Sequence, residues 1–127
     1  MTSEPIQPRK NIDPENWKGF LEEFSERNND RRASFDLFKA DGEILEENLE
    51  AHFEEARLET NGGKKNVVIT RIDRADAKAD KFTNEVTNVR RIGVQYDTDG
   101  SEDALEITDD QNSLISLRFE SKVDGGS

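Results

Sequence analysis

The sequence contains no cysteine, which excludes structural disulfide bonds and metal sites built on thiolate ligands. It has a single histidine, which as a general base would need a partner side chain and a pocket. No apolar run approaches the roughly 20 residues of a membrane-spanning helix. Residues 1–10 also lack the apolar stretch of a signal peptide. We therefore expect a cytoplasmic protein.

Apolar residues are scarce and acidic residues are abundant. Apolar types make up 31% of the 127 residues, and 29 Asp and Glu outnumber 18 Lys and Arg, which gives a net charge of -11. Such a composition is typical of disordered chains unless the few apolar residues are patterned. The negative charge also disfavours binding to the phosphate backbone of nucleic acids and to anionic lipid. We expect neither a nucleic acid nor a membrane as partner.

The first patterned segment predicts an amphipathic helix. Asp13 is a suitable N-cap residue, and Pro14 occupies the first helical position, where its missing N–H costs nothing. Ile12 and Trp17 have the spacing of a hydrophobic staple. Apolar residues then recur at positions i, i+3, i+4 and i+7, namely Trp17, Phe20, Leu21 and Phe24. The polar residues 28–30 should end the helix.

After residue 30 the apolar period changes from 3.6 to 2, which indicates strands. Apolar alternation and β-prone composition predict about six short strands, near residues 33–37, 53–60, 67–72, 89–96, 105–107 and 115–119. Turn signals at 41–42 and a hairpin-like loop at 61–66 separate some of them. Residues 43–52 are ambiguous, and their Glu and Leu content favours a short helix.

These elements predict an α+β fold. We expect an N-terminal amphipathic helix packed on a curved antiparallel sheet, or a small open barrel, of about six strands. A meander is the simplest strand order. Residues 1–11 and 121–127 are predicted to be flexible tails around a single domain at 12–120. Within that domain, the polar residues 73–88 are predicted to form a surface excursion.

The pattern resembles a small bacterial family known only as a domain of unknown function. The likeness begins with an N-terminal helix carrying Ile12, Trp17, Phe20 or Leu21, Phe24 and Ser25. It continues through residues 31–35, 53–68 and 105–107 to a closing Leu-Arg-Phe at 117–119. The resemblance implies a small cytoplasmic single-domain protein and supplies no activity, ligand or functional residue. Residues 73–88 depart from the family pattern.

An acidic turn at 97–103 is the sharpest local feature, because carboxylates alternate before Gly100 as they do in calcium loops. The candidate cation ligands are Asp97, Asp99, Glu102 and Asp103. The first ligand position would however fall on Gln95, and the flanking segments alternate like strands instead of helices. A hairpin turn is therefore the favoured interpretation, and a weak Ca²⁺ site is the alternative.

Two pairs of adjacent arginines, Arg31 with Arg32 and Arg90 with Arg91, stand out in an acidic chain. If their strands are neighbours, the four side chains form a basic patch for a carboxylate, a phosphate or a partner protein. The alternative is that they pair with Glu and Asp across the sheet.

No arrangement typical of catalysis is present. His52 is interpreted as a surface or rim imidazole, residues 62–65 lack the spacing of a phosphate-binding loop, and no Gly-x-Ser-x-Gly elbow occurs. We predict no catalytic residue, metal or cofactor. The expected function is a non-catalytic protein-interaction or self-association module, with an unknown protein or a second copy as partner. A cation-responsive protein and a small enzyme that uses carboxylates alone are the alternatives.

Overall fold

The computed structural model describes residues 9–73, 80–98 and 100–120, and the side chains of all of these except 45–50 and 80. A 3-10 turn (Pro14–Asn16) leads into helix α1 (Trp17–Asn28), which ends where the sequence predicts. Eight strands complete the described part: β1 (Arg9–Ile12), β2 (Arg32–Phe38), β3 (Ile44–Asn61), β4 (Lys64–Asp73), β5 (Asp80–Val86), β6 (Val89–Tyr96), β7 (Glu102–Asp109) and β8 (Leu114–Phe119). The α+β class is confirmed as one short helix on an open antiparallel sheet.

The strand order is β1-β6-β7-β8-β2-β3-β4-β5, so two meanders join where β8 pairs with β2. The sheet must also curl. Only residues 87–88 link β5 to β6, which lie six steps apart in this order. In a flat sheet six steps would separate the strands by about 29 Å. Three Cα–Cα steps, from Val86 to Val89, span at most about 11 Å. The curl therefore brings the β5 end of the sheet back towards β6.

The predicted number of about six strands is wrong, because the sheet has eight. The two additional strands are β1 and β5, one at each edge. Residues 9–11 of the predicted tail belong to β1, and residues 80–86 of the predicted excursion belong to β5. Edge strands pair on one side only, so both are polar and show little apolar alternation. Residues 1–8, 74–79 and 121–127 lie outside the described part of the chain.

The helix favoured for residues 43–52 is also wrong, because β3 already begins at Ile44. Its first half pairs with β2, for example Glu46 with Leu37. That pairing satisfies the backbone across the sheet, and tertiary context overrides the local helix preference of Glu and Leu.

The core lies between α1 and the concave face of the curled sheet. The predicted helix stripe is buried at Trp17, Leu21 and Phe24, while Phe20 is only partly buried. The Phe24 ring lies 5.6 Å from the rings of Phe53 on β3 and Phe119 on β8. Helix α1 therefore bridges strands that stand on both sides of β2.

Ser25 connects the polar side of α1 to β3. Its hydroxyl accepts the N–H of Ala56 at 2.9 Å and lies 2.7 Å from the carbonyl oxygen of Leu21. The hydroxyl thus satisfies a backbone N–H of β3 beyond His52, where the pairing of β3 with β2 has ended.

Replacing Ser25 with alanine is expected to lower the free energy of unfolding by about 1–2 kcal/mol, because the Ala56 N–H loses its acceptor. Urea denaturation measures the change. Ser34→Ala on β2 is the matched control, since no side-chain hydrogen bond of Ser34 to another described residue is lost, and its effect should stay within about 0.5 kcal/mol. Equal effects of the two substitutions would contradict the role given to Ser25.

Candidate functional site

The four arginines of the predicted basic patch do not come together. Arg31 and Arg32 lie at the start of β2, and Arg90 and Arg91 lie at the start of β6. The two strands are three steps apart in the sheet, about 14 Å. The two arginine pairs also lie at opposite ends of the strands. Arg91 pairs with Thr108, Thr108 with Leu114 and Leu114 with Phe38, so the start of β6 is level with the end of β2.

Arg31 and Arg32 make contacts within the chain. Arg31 Nη1 donates to Asn28 Oδ1 at 2.9 Å and to the carbonyl oxygen of Glu102 at 2.6 Å. Its guanidinium carbon lies 4.5 Å from the centre of the Phe119 ring. Arg32 forms an exposed ion pair with Glu120 at 3.5 Å. Arg32 therefore pairs with a glutamate, as the alternative expects, while the contacts of Arg31 hold the start of β2 against α1 and β7.

Glu102 is the centre of a buried polar network that joins the end of α1 to β7. Arg27 donates to its carboxylate from Nε at 3.0 Å and from Nη2 at 2.6 Å, and Asn28 Nδ2 donates at 2.8 Å. The hydrogen bond to Glu102 raises the pKa of Arg27 above its ordinary value. In the sequence, 74 residues separate Asn28 from Glu102, and nothing in their local patterns links them.

The acidic turn has the geometry of a hairpin connection. The N–H of Asp97 donates to the carbonyl oxygen of Ser101 at 2.8 Å, and Gly100 takes a positive φ of 88°. The Glu102 carboxylate is engaged by Arg27 and Asn28, and Asp103 is partly buried on β7. Asp99 lies outside the described residues. No three metal-ligating side chains gather in the part of the chain that is described, and the Ca²⁺ hypothesis stays a prediction.

His52 lies within β3, half-buried, between Arg32 on β2 and Ile72 on β4. Its Nδ1 is buried and has no hydrogen-bond partner among the described residues. Among the residues that the structure describes, no carboxylate orients the ring through that atom. The loop at residues 62–63 is a tight turn between β3 and β4, with both glycines at positive φ.

A groove of about 390 Å³ lies on the outer face of the sheet, across β1, β6 and β7. We call it the Arg91 groove, and its polar lining comprises Arg9, Asn11, Arg91, Glu106, Thr108 and Asn112. Arg9 was not singled out by the sequence, because it fell in a predicted tail. The ladder places Asn11 opposite Gly93, and Gly93 opposite Glu106, so register alone brings residues 11 and 106 to one site.

A second surface feature is the free edge of β5. Among the described residues, β5 pairs with β4 on one side and with no strand on the other. Phe82 on this strand is 42% exposed, although its ring lies 5.9 Å from the guanidinium of the buried Arg71. Arg71 Nη2 also donates to Asn84 Oδ1 at 3.1 Å. Arg71 therefore contacts two side chains of β5, those of Phe82 and Asn84, while the Phe82 ring remains partly exposed.

Comparison with known proteins yields no match to a family model, to a curated protein or to a solved structure. The resemblance to a domain of unknown function therefore stays a prediction. No helix in the described part of the chain is both long enough and apolar enough to cross a membrane.

Proposed function

We propose that this protein is a non-catalytic interaction module that associates with a second copy of itself through the edge of β5. The observation that carries the proposal is the seven-residue edge strand with its half-exposed phenylalanine, Phe82. Every second residue of such an edge turns its backbone N–H and C=O away from the sheet, where another strand can bind them. The Phe82 ring beside this edge adds apolar surface that such a partner can bury.

The charges on β5 fit a second copy in antiparallel orientation. Lys81, Thr83 and Glu85 alternate on one face of the strand. A two-fold axis at Thr83 would set Lys81 opposite Glu85 of the second copy, and the reverse pair would form on the other side of the axis. Opposite charges directly across an antiparallel pair stabilise it, and like charges destabilise it. The sequence of β5 is therefore complementary to itself.

The opposite edge of the sheet is less suited to this role. Within the described part of the chain, strand β1 has four residues, against seven in β5. Short edge strands are a common protection against unwanted pairing. Lys81 is already 3.2 Å from Glu54 of its own chain, but its side chain remains 65% exposed and retains donors for a second carboxylate.

Charge reversal at β5 tests the proposal. Sedimentation velocity across a concentration series should show a monomer–dimer equilibrium for the unmodified chain. Lys81→Glu sets like charges across the axis twice and should weaken dimerisation at least about tenfold. The double variant Lys81→Glu with Glu85→Lys restores opposite charges and should restore the dimer.

Lys64→Glu is the matched control, because it changes the net charge equally at the turn between β3 and β4. It should leave the dimer unaffected. A monomer at every concentration of the unmodified chain would refute the proposal, and so would a double variant that dimerises no better than Lys81→Glu.

A further inference from the structure

We propose that the Arg91 groove is a binding site for a small oxyanion, a carboxylate or a phosphate group, and that the Arg91 guanidinium is its main ligand. This site lies on the outer face of β1, β6 and β7 and is independent of pairing at β5. Four features of the structure support it: a β-bulge, two arginines without a carboxylate partner among the described residues, a glutamate whose charge another arginine balances, and a set of neutral donors.

The bulge lies at the start of β6. Val89 pairs with Asp109 and Arg91 pairs with Thr108, which leaves Arg90 as an extra residue in β6. As a result Val89 and Ile92, three residues apart, both turn into the core, and the two arginines between them are both exposed. Bulges commonly redirect side chains next to functional sites. Here the bulge aims two adjacent guanidinium groups away from the core.

Neither Arg90 nor Arg91 has a hydrogen bond or an ion pair with another described residue. Among the described arginines the same holds for Arg118, which lies outside the groove. Four other described arginines each form an ion pair with a glutamate, namely Arg9, Arg27, Arg32 and Arg57. The start of β6 is thus a local positive site on a negative protein.

The one carboxylate that lines the groove does not neutralise Arg91. Glu106 is contacted by Arg9, with Nε 3.1 Å from Oε1 and Nη2 3.3 Å from Oε2. Gln95 Nε2 donates to Oε2 at 2.8 Å as well. The positive charge of Arg9 therefore balances the negative charge of Glu106. The positive charge of Arg91 has no carboxylate partner among the described residues. The adjacent Asp109 uses Oδ1 to accept the N–H groups of Gln111 and Ser113.

Neutral donors complete the site. Asn11 and Asn112 contribute amides to the lining, and Thr108 contributes a hydroxyl. Gly93 leaves space at the base of the groove, since a Cβ at this position would lie 3.2 Å from Asn11 Oδ1. A groove with a guanidinium and several N–H or O–H donors suits an anion with two or more oxygens.

The chemistry also limits the size of the anion. The planar fork of arginine binds two oxygens of one carboxylate or one phosphate. A polyanion such as a nucleic acid would meet the repulsion of a chain with net charge -11 beyond the groove. The expected ligand therefore carries one oxyanion group at the groove, such as a small carboxylic acid or a phosphate monoester.

The test is an NMR titration of the arginine Nε–Hε and backbone amide signals. Inorganic phosphate is the probe in one arm and succinate in the other, and sodium chloride keeps the ionic strength constant. Saturable shifts at Arg91 and Thr108 in either arm are expected, and the arm that saturates at lower concentration identifies the preferred oxyanion. Arg91→Gln should weaken that binding at least about tenfold, because it removes a charge-assisted bidentate contact.

Arg118→Gln is the matched control. Arg118 is exposed on the outer face of β8, outside the groove, and its loss changes the net charge equally. Its expected effect on binding is less than twofold. Non-saturating shifts with both probes would overturn the proposal. Equal weakening by Arg91→Gln and Arg118→Gln would also overturn it, because binding would then follow overall charge.

Discussion

Replacing Glu102 with alanine is expected to lower the free energy of unfolding by about 3 kcal/mol, because removal of one partner leaves buried polar groups unsatisfied. Glu102 is 7% exposed and Asn28 is 2% exposed, so the Asn28 amide loses its carboxylate acceptor at a buried position. The Arg27 side chain is 47% exposed and regains water, which holds the loss at the lower end of the range for buried pairs. Equilibrium urea denaturation measures the change.

Glu120→Ala is the matched control for Glu102→Ala. Its ion pair with Arg32 has side chains 55% and 52% exposed, and exposed pairs contribute about 1 kcal/mol or less. A double-mutant cycle between Arg27→Ala and Glu102→Ala separates their mutual interaction from the contacts each makes elsewhere. If Glu102→Ala destabilises no more than Glu120→Ala, the network does not anchor α1.

The raised pKa of Arg27 has a defined consequence for pH dependence. A cation whose pKa is raised on folding adds stability that is complete below its unfolded pKa and is lost only as pH rises through the folded value. Both values lie far above the neutral range for arginine, which stays protonated in proteins. The Arg27 contribution should therefore be constant from neutral to moderately alkaline pH.

The elements that sequence reasoning predicted well are those that bury one full face. Ile92 and Val94 on β6, and Leu105 and Ile107 on β7, recur at every second position and are all fully buried. The helix stripe of Trp17, Leu21 and Phe24 recurs at helical spacing and is also buried. In each case the spacing of the apolar residues equals the spacing at which side chains return to the buried face, so the sequence alone predicts which residues are buried.

The elements that it missed depend on pairing across the sheet. β1 carries one large apolar residue, Ile12, and β5 carries Phe82 and Val86. Their strand conformation comes from hydrogen bonds to β6 and β4, which leave no periodic trace in the edge strand itself. The first half of β3 was missed for the same reason, because the strand with which it pairs is β2.

The Arg91 groove shows the same division. Two adjacent arginines in an acidic chain were visible in the sequence, so Arg90 and Arg91 were found. Their assignment to a patch with Arg31 and Arg32 required a strand order that the sequence does not encode locally. Arg9 and Glu106, 97 residues apart, meet because β1 and β7 both flank β6.

Replacing Phe24 with alanine is expected to cost about 3–5 kcal/mol of unfolding free energy, the range for truncating a fully buried phenylalanine. Phe24 has no exposed surface, and its ring lies 5.6 Å from those of Phe20, Phe53 and Phe119. A 12-residue helix is marginal by itself in water. Loss of this anchor should therefore loosen the whole of α1 from the sheet.

The single tryptophan reports on that loosening. Trp17 is buried at the start of α1, and its indole N–H donates to the carbonyl oxygen of Ile12 at 2.9 Å. Its fluorescence in Phe24→Ala should shift to longer wavelength at denaturant concentrations where the unmodified chain is still native. Phe20→Ala is the control, because Phe20 is only partly buried, and its cost should be about 1–2 kcal/mol. Similar costs for the two substitutions would mean that α1 is held to the sheet by contacts other than the ring of Phe24, with Ser25 and Glu102 the first to consider.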